Sequence, residues 1–398
     1  MRLRRHLGGW FVATALLGAL PVQAQSSAQV PADVVAAVLQ HAALVEATYA
    51  DTLAAAQDLR VAVVAFIAEP SAERLEAARR AWLDAREWYG QSEAFRFYGG
   101  PIDEAGGPEG RLNAWPMDES YVDSVKGKPN SGLINDRRFV IGKKALAAQN
   151  ERGGEENVAT GWHALEFLLW GQDFNEHGPG DRSHEDFIDG QAPNADRRRQ
   201  YLGVVIELLI DDLESLVRAW AGAEARGGKA NYRARFERGG IESVRKIIVG
   251  LGSLSRGELA GKRTDVAMNT RDQEDEQSCF SDNTHRDLVA NALGIENVWL
   301  GRYQRRGGSM LQGASLRELV ATRDEALAAR ATTQIAASVA AAQAIQPPFD
   351  QEINGGADGQ GRLRVQALID SAVQQSKDLA DAAAALGIRR LTLVNPKK

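Results

Sequence analysis

The chain has a single cysteine, Cys279, in 398 residues. No disulfide can form within it, so packed core has to supply its stability. After the first two dozen residues no long apolar run recurs, which leaves no segment for a membrane span. The Val- and Ile-rich alternation that marks strands is nearly missing. Also missing are the Gly-x-Ser-x-Gly elbow, the phosphate loop, the GxGxxG fingerprint and the haem-attachment Cys-x-x-Cys-His. Positive charge is in deficit: the net formal charge is −6, a poor balance for nucleic acid and a reasonable one for metal cations.

What is present starts with Arg2, Arg4 and Arg5, an apolar run from Leu7 to about Val22, and Val22-Gln23-Ala24. This reads as a secretory signal peptide over residues 1–24, cleaved after Ala24. No cysteine follows the run, so no lipid anchor is expected, and the mature chain is expected in the periplasm of a bacterium. Without the three arginines the charge is −9, with 44 basic against 53 acidic residues.

Helical periodicity dominates the rest, and the fold class is all-α. Apolar residues recur at helical spacing over Val34–Phe66, and Pro70-Ser71 ends one helix and starts another, with Ser71 as N-cap. The second helix carries Leu75, Trp82 and Tyr89 and is expected to run on through an aromatic stretch, Trp88–Tyr98. Leu202, Val205, Leu209, Leu213, Leu216 and Trp220 form another stripe. Further helices are expected at about 314–345 and 361–386. Long irregular loops at 99–135 and 171–197 are the kind that often carry function. The Gly/Lys-rich stretch Gly222–Asn231 suggests two helical-bundle domains, 25–221 and 232–398.

The chemistry points to one segment, Gly161-Trp162-His163-Ala164-Leu165-Glu166-Phe167-Leu168-Leu169-Trp170. His163 and Glu166 are three apart and share a helix face. Their flanks are so apolar that an unpartnered Glu166 would be costly to bury. A metal or an arginine has to offset that cost, and imidazole with carboxylate suits zinc or iron. The pair is incomplete. The sequence has no His-Glu-x-x-His, and Phe167 stands where the inverted His-x-x-Glu-His form needs histidine. Glu93, set among Trp88, Tyr89, Phe95, Phe97 and Tyr98, is the first choice for a further ligand. Asp103, Glu119, Asp173, and His285 with Asp287 come next. His177 and His184 lie in an acidic loop read as a solvated charged surface, and His41 is read as a polar helix residue. Cys279 with His285 is a weak thiol-nucleophile pattern.

On these residues the chain resembles the imelysin family, in the branch called iron-regulated protein A. The resemblance rests on the Gly-x-His-x-x-Glu segment, on Tyr89–Tyr98 with Gly100-Pro101-Ile102-Asp103, and on Asn113–Glu119. In the second half it rests on Cys279–Asp287 and on Asn291–Ile295 through Leu300–Tyr303. It implies two helical bundles with the motif near their interface, in a protein exported to the cell envelope. It also implies His163 and Glu166 as an iron or zinc site. The first functional expectation is a metal-binding protein serving iron acquisition, with an envelope iron-transport component as a possible partner. The alternatives are a zinc metallopeptidase, and a periplasmic binding protein for a polymer, peptide or haem, with Trp88, Tyr98, Trp115 and Trp162 as candidate groove aromatics.

Overall fold

The computed structural model describes residues 30–225, 227–356, 358–389 and 391; the expected signal peptide lies outside these residues. Two long helices, α1 (Ala32–Ala68) and α2 (Ala72–Ser92), form an antiparallel hairpin. Ser71 caps α2 as expected, its Oγ accepting from Arg74 N at 3.3 Å. The motif helix α3 (Gly161–Trp170) and the stripe helix α4 (Ala195–Trp220) complete the first half. The second half holds α5 (Ile241–Ser253), α6 (Thr284–Leu300), α7 (Glu325–Ala344) and α8 (Gln360–Ala385). Among the described residues the regular strands are two, β1 (Arg302–Gln304) and β2 (Met310–Gln312), which pair antiparallel.

α2 packs along α6, and α1 touches α5, so helices of both halves meet directly. One buried apolar network extends from Val34 to Ile388. Trp82, Trp162, Trp220 and Trp299 are all fully buried in it.

Several local expectations are corrected. The helix with Trp88 does not continue to Tyr98. It ends at Ser92, tightens into a 3₁₀ turn over Glu93–Phe95, and breaks where Phe97 takes φ 70°. The expected helix over 314–345 is two, Leu316–Ala321 and Glu325–Ala344, because Asp324 caps a fresh start by accepting from Leu327 N. His41, read as a polar helix residue, lies in the core. It is 3% exposed and packs against Phe95, Phe236 and Trp220 at ring distances of 5.7, 5.5 and 6.3 Å. Burial lowers its pKa to about 3, so it is a neutral core group. After α5 the chain winds wider, as a π-helix over Leu254–Asp265, and this stretch turns Glu258 and Arg263 inward.

Candidate functional site

All ten residues of α3 are buried. Its first residue must be glycine. Gly161 has φ 85°, and a Cβ there would collide with the carbonyls of Arg111 and Leu112. That close approach seats the helix against the short helix Glu109–Asn113 and fixes where His163 and Glu166 lie. Trp82 Nε1 donates to Trp162 O at 3.0 Å and ties α3 to α2.

His163 and Glu166 meet, but they face each other. His163 Nδ1 is 2.9 Å from Glu166 Oε2, and both side chains are 0% exposed. The other oxygen, Oε1, accepts from Ser281 N at 3.0 Å and Ser281 Oγ at 2.7 Å. Burial pushes the Glu166 carboxyl up to about 8, against the Ser281 hydrogen bonds and Arg86, which favour the charged form. Burial holds His163 well below its ordinary 6.5, and the guanidiniums of Arg86 and Arg263 add to that. The pair is therefore neutral near pH 7. With Oε1 occupied by two donors, the acid proton belongs on Oε2, directed at Nδ1. Nε2 of His163 is buried without a partner. The Trp115 ring lies over the imidazole, centroid to centroid 4.9 Å, and Phe280 packs behind it at 5.7 Å from Trp115.

Around this pair runs a buried charge network. Arg86 binds Asp287 through Nε at 3.2 Å and Nη2 at 3.0 Å, and donates to Asn113 Oδ1 at 2.7 Å. Asn113 reaches Glu93 at 3.4 Å. Glu93 in turn accepts from Arg96 at 2.9 Å and from Arg263. Those two guanidiniums hold the Glu93 carboxyl down to about 2 against the cost of burial.

The other sequence candidates disperse. Asp103 accepts from Arg96 and from Phe97 N. Glu119 is 3.5 Å from Gln172. Asp173 accepts from Asn175 N and Gln273. Asp287 is the partner of Arg86. His177 is exposed, as the solvated-loop reading has it, whereas His184 is half-buried. Cys279 is buried and its thiol is pushed well up, which removes the thiolate a nucleophile needs. Trp162 is fully buried and so no groove residue, whereas Trp115 lines a cavity of about 350 Å³ with Arg96, Asn113 and Arg263. Among the described residues no group of three or more His, Cys, Asp or Glu side chains is arranged to hold a metal ion.

Arg86 was legible in principle: Trp82, Arg86 and Tyr89 fall on one face of α2, so an arginine interrupts the apolar stripe. Arg263 and Ser281 carry no such signal.

Glu276 adds a pH-sensitive element to the same region. It is 0% exposed, and burial with Asp350, Asp282 and Asp173 nearby raises its pKa well above 4.5 against a hydrogen bond from Thr284. A raised pKa contributes stability that is complete below the unfolded value and is lost as pH rises. Glu276→Gln is therefore expected to match the parent at pH 4 and to exceed it in urea midpoint at pH 8. Equal midpoints at both pH values would show that the carboxyl carries no such penalty.

The imelysin (peptidase M75) family profile matches residues 45–379. Iron-regulated protein A of Synechococcus elongatus is 26% identical over 316 residues, 77% of this chain and 74% of that protein. A putative iron-regulated protein A precursor from Parabacteroides distasonis superposes with a TM-score of 0.68 at 22% identity, over 90% of this chain and 97% of that one. An imelysin-like protein from Psychrobacter arcticum superposes with a TM-score of 0.61 at 14% identity, over 88% and 97%. The last two show a shared fold.

Proposed function

The chain belongs to the imelysin family, and from that membership we propose an exported cell-envelope protein that serves iron acquisition through His163, without catalysis. The observation that carries the reading is the lone buried Nε2 of His163, on a ring whose Nδ1 is fixed by Glu166 and, through it, by Ser281. If Nε2 gave up its proton on binding a metal, the Glu166 proton would pass to Nδ1, and the resulting carboxylate would orient the imidazole by its far nitrogen, the usual support of a metal-binding histidine. Glu166 is then the support and His163 the donor.

A cage made only of protein donors does not fit. Both oxygens of Glu166 are engaged, and Glu93 is held between two guanidiniums. The same Arg86 and Arg263 that oppose a charge on His163 oppose a bare cation beside it. The arrangement suits iron that arrives with anionic ligands of its own, to which His163 would add one nitrogen once Nε2 gives up its proton. A zinc peptidase asks for three protein donors and an open position, and no such group forms among the described residues. The relatives named for iron regulation support the choice of metal. No described helix is long and apolar enough to cross a membrane, which is compatible with export.

The test is ferric citrate added to metal-free protein, followed by desalting and elemental analysis. The expected result is about one iron per chain, as a single fixed imidazole site requires, and loss of that iron in His163→Gln. A ferrous salt without citrate is expected to bind more weakly. Thermal melting confirms that the variant is folded, and a folded His163→Gln that keeps its iron refutes the assignment.

A further inference from the structure

A second cavity, of about 610 Å³, opens on another side of the Ser281 turn. Its walls are partly apolar, from Leu83, Pro179, Pro347 and Pro348. Three carboxylates line it: Asp84, Glu87 and Asp282. Two of them are neutralised, Asp84 by Arg306 at 3.1 Å and Glu87 by Arg286 at 2.6 and 2.9 Å. Asp282 is not. It is 8% exposed, and its Oδ2 is buried with no hydrogen-bond partner.

The groups around Asp282 deepen the negative potential. Its charged neighbours are Asp173 and Asp350. Glu276, which is fully buried, feels the charges of Asp350, Asp282 and Asp173. Carboxyls from three segments, the loop after α3, the turn before α6 and the helix Phe349–Asn354, thus act on Asp282 through their charge without meeting at one point. The titratable groups on the cavity side are His177, which acts on Asp350, and His285, whose Nδ1 is 3.1 Å from the Asp282 carbonyl. Burial lowers the His285 pKa, which keeps it uncharged near neutrality. A buried carboxyl with no partner is costly, and such a group at the wall of a half-apolar cavity marks a place for a ligand.

We propose that this cavity binds an organic cation, an amidinium, guanidinium or primary ammonium group on an apolar body, with Asp282 as its counter-ion. A directly ligated metal is disfavoured because no three carboxyls among the described residues converge on one point. An organic cation needs one carboxylate for its charge and apolar walls for its body, and the cavity supplies both. The cation can be a free amine or the basic side chain of a peptide. The site makes no use of His163, so it stands whether or not that residue binds iron.

The experiment is calorimetric titration of the full mature chain with benzamidine, and with benzamide as the uncharged isostere. Benzamidine is expected to bind with a dissociation constant on the order of 0.1–1 mM and benzamide roughly tenfold or more weakly. Asp282→Asn should weaken benzamidine by about tenfold or more, since the charge is gone and the shape kept. Asparagine tolerates the left-handed backbone of this position, φ 55°. Because Asp282 holds its proton up to about pH 7, binding is expected to be weaker at pH 5.5 than at pH 8. Agmatine and N-acetyl-Phe-Arg-amide, titrated in parallel, tell a free amine from a peptide side chain by which binds more tightly. Equal binding of benzamidine and benzamide, an unchanged affinity in folded Asp282→Asn, or no heat from any of the three cations would overturn the proposal.

Discussion

Arg86→Met is expected to lower the unfolding free energy by roughly 3–5 kcal/mol, the cost of leaving one member of a buried ion pair without the other. Arg86 and Asp287 are each 1% exposed on their side chains. The guanidinium also lies 5.4–5.8 Å from the ring centroids of Trp82, Tyr89 and Trp162. Methionine fills the space but leaves Asp287 with Ser278 as its remaining side-chain partner. The pair joins α2 to α6, one helix from each half of the chain, so its loss strikes the packing between them. Urea unfolding of the single variants and of Arg86→Met/Asp287→Asn is the measurement. Removing the charge of Asp287 is expected to return part of the loss, so the double variant should be more stable than Arg86→Met alone. A cost below about 1 kcal/mol for Arg86→Met would place the pair in a wet, screened setting instead.

This pair also shows how far the sequence reaches. The apolar stripes of α1, α2 and α4 were readable because their periodicity is local, and so was the cap at Ser71. The site was half readable. His-x-x-Glu in an apolar run announces a buried polar pair, and three residues of spacing place both on one face. Spacing cannot say whether two such groups point outward together or toward each other. That is set by Ser281, which lies 115 residues from Glu166 and takes its second oxygen. Glu93 illustrates the same limit. Its aromatic neighbours correctly signal burial, but its partners are Arg96, just past a 3₁₀ turn, and Arg263 on a π-helix, and neither element has a strong sequence signature. His41 misleads in the opposite way. On a long alanine-rich helix a histidine reads as solvated, whereas here a cluster of rings closes over it.

Asp123→Asn is expected to cost a further 3–5 kcal/mol or so, by the same reasoning applied to two cations. Asp123 is 0% exposed. It accepts from Arg198 Nε at 2.6 Å and Nη2 at 3.0 Å, from Arg182 Nη1 at 3.0 Å, and from Ser124 N at 2.8 Å. An amide keeps the shape, loses the charge and leaves both guanidiniums, themselves nearly buried, without their shared anion. The two arginines hold the carboxyl far below its ordinary 3.8. A depressed pKa gives stability that is complete above the unfolded value and is lost as pH falls through the folded one. The parent is therefore expected to lose stability steeply below about pH 4, and Asp123→Asn to start lower and fall less over that interval. The effect should reach the motif. Arg182 N donates to Trp170 O at 2.8 Å, and Arg79 bridges the carbonyls of Leu169 and Arg182 at 2.9 Å each. Those carbonyls at Leu169 and Trp170 close the C-terminal end of α3, whose N-terminal turn carries His163. Loosening Asp123 thus loosens the end of the helix that positions the donor nitrogen. Hydrogen exchange of the α3 amides is the direct readout: faster exchange there in the variant, at a pH where it is still folded, is the expected result. Exchange in α3 unchanged from the parent would show that the arginine cluster holds the loop but not the motif.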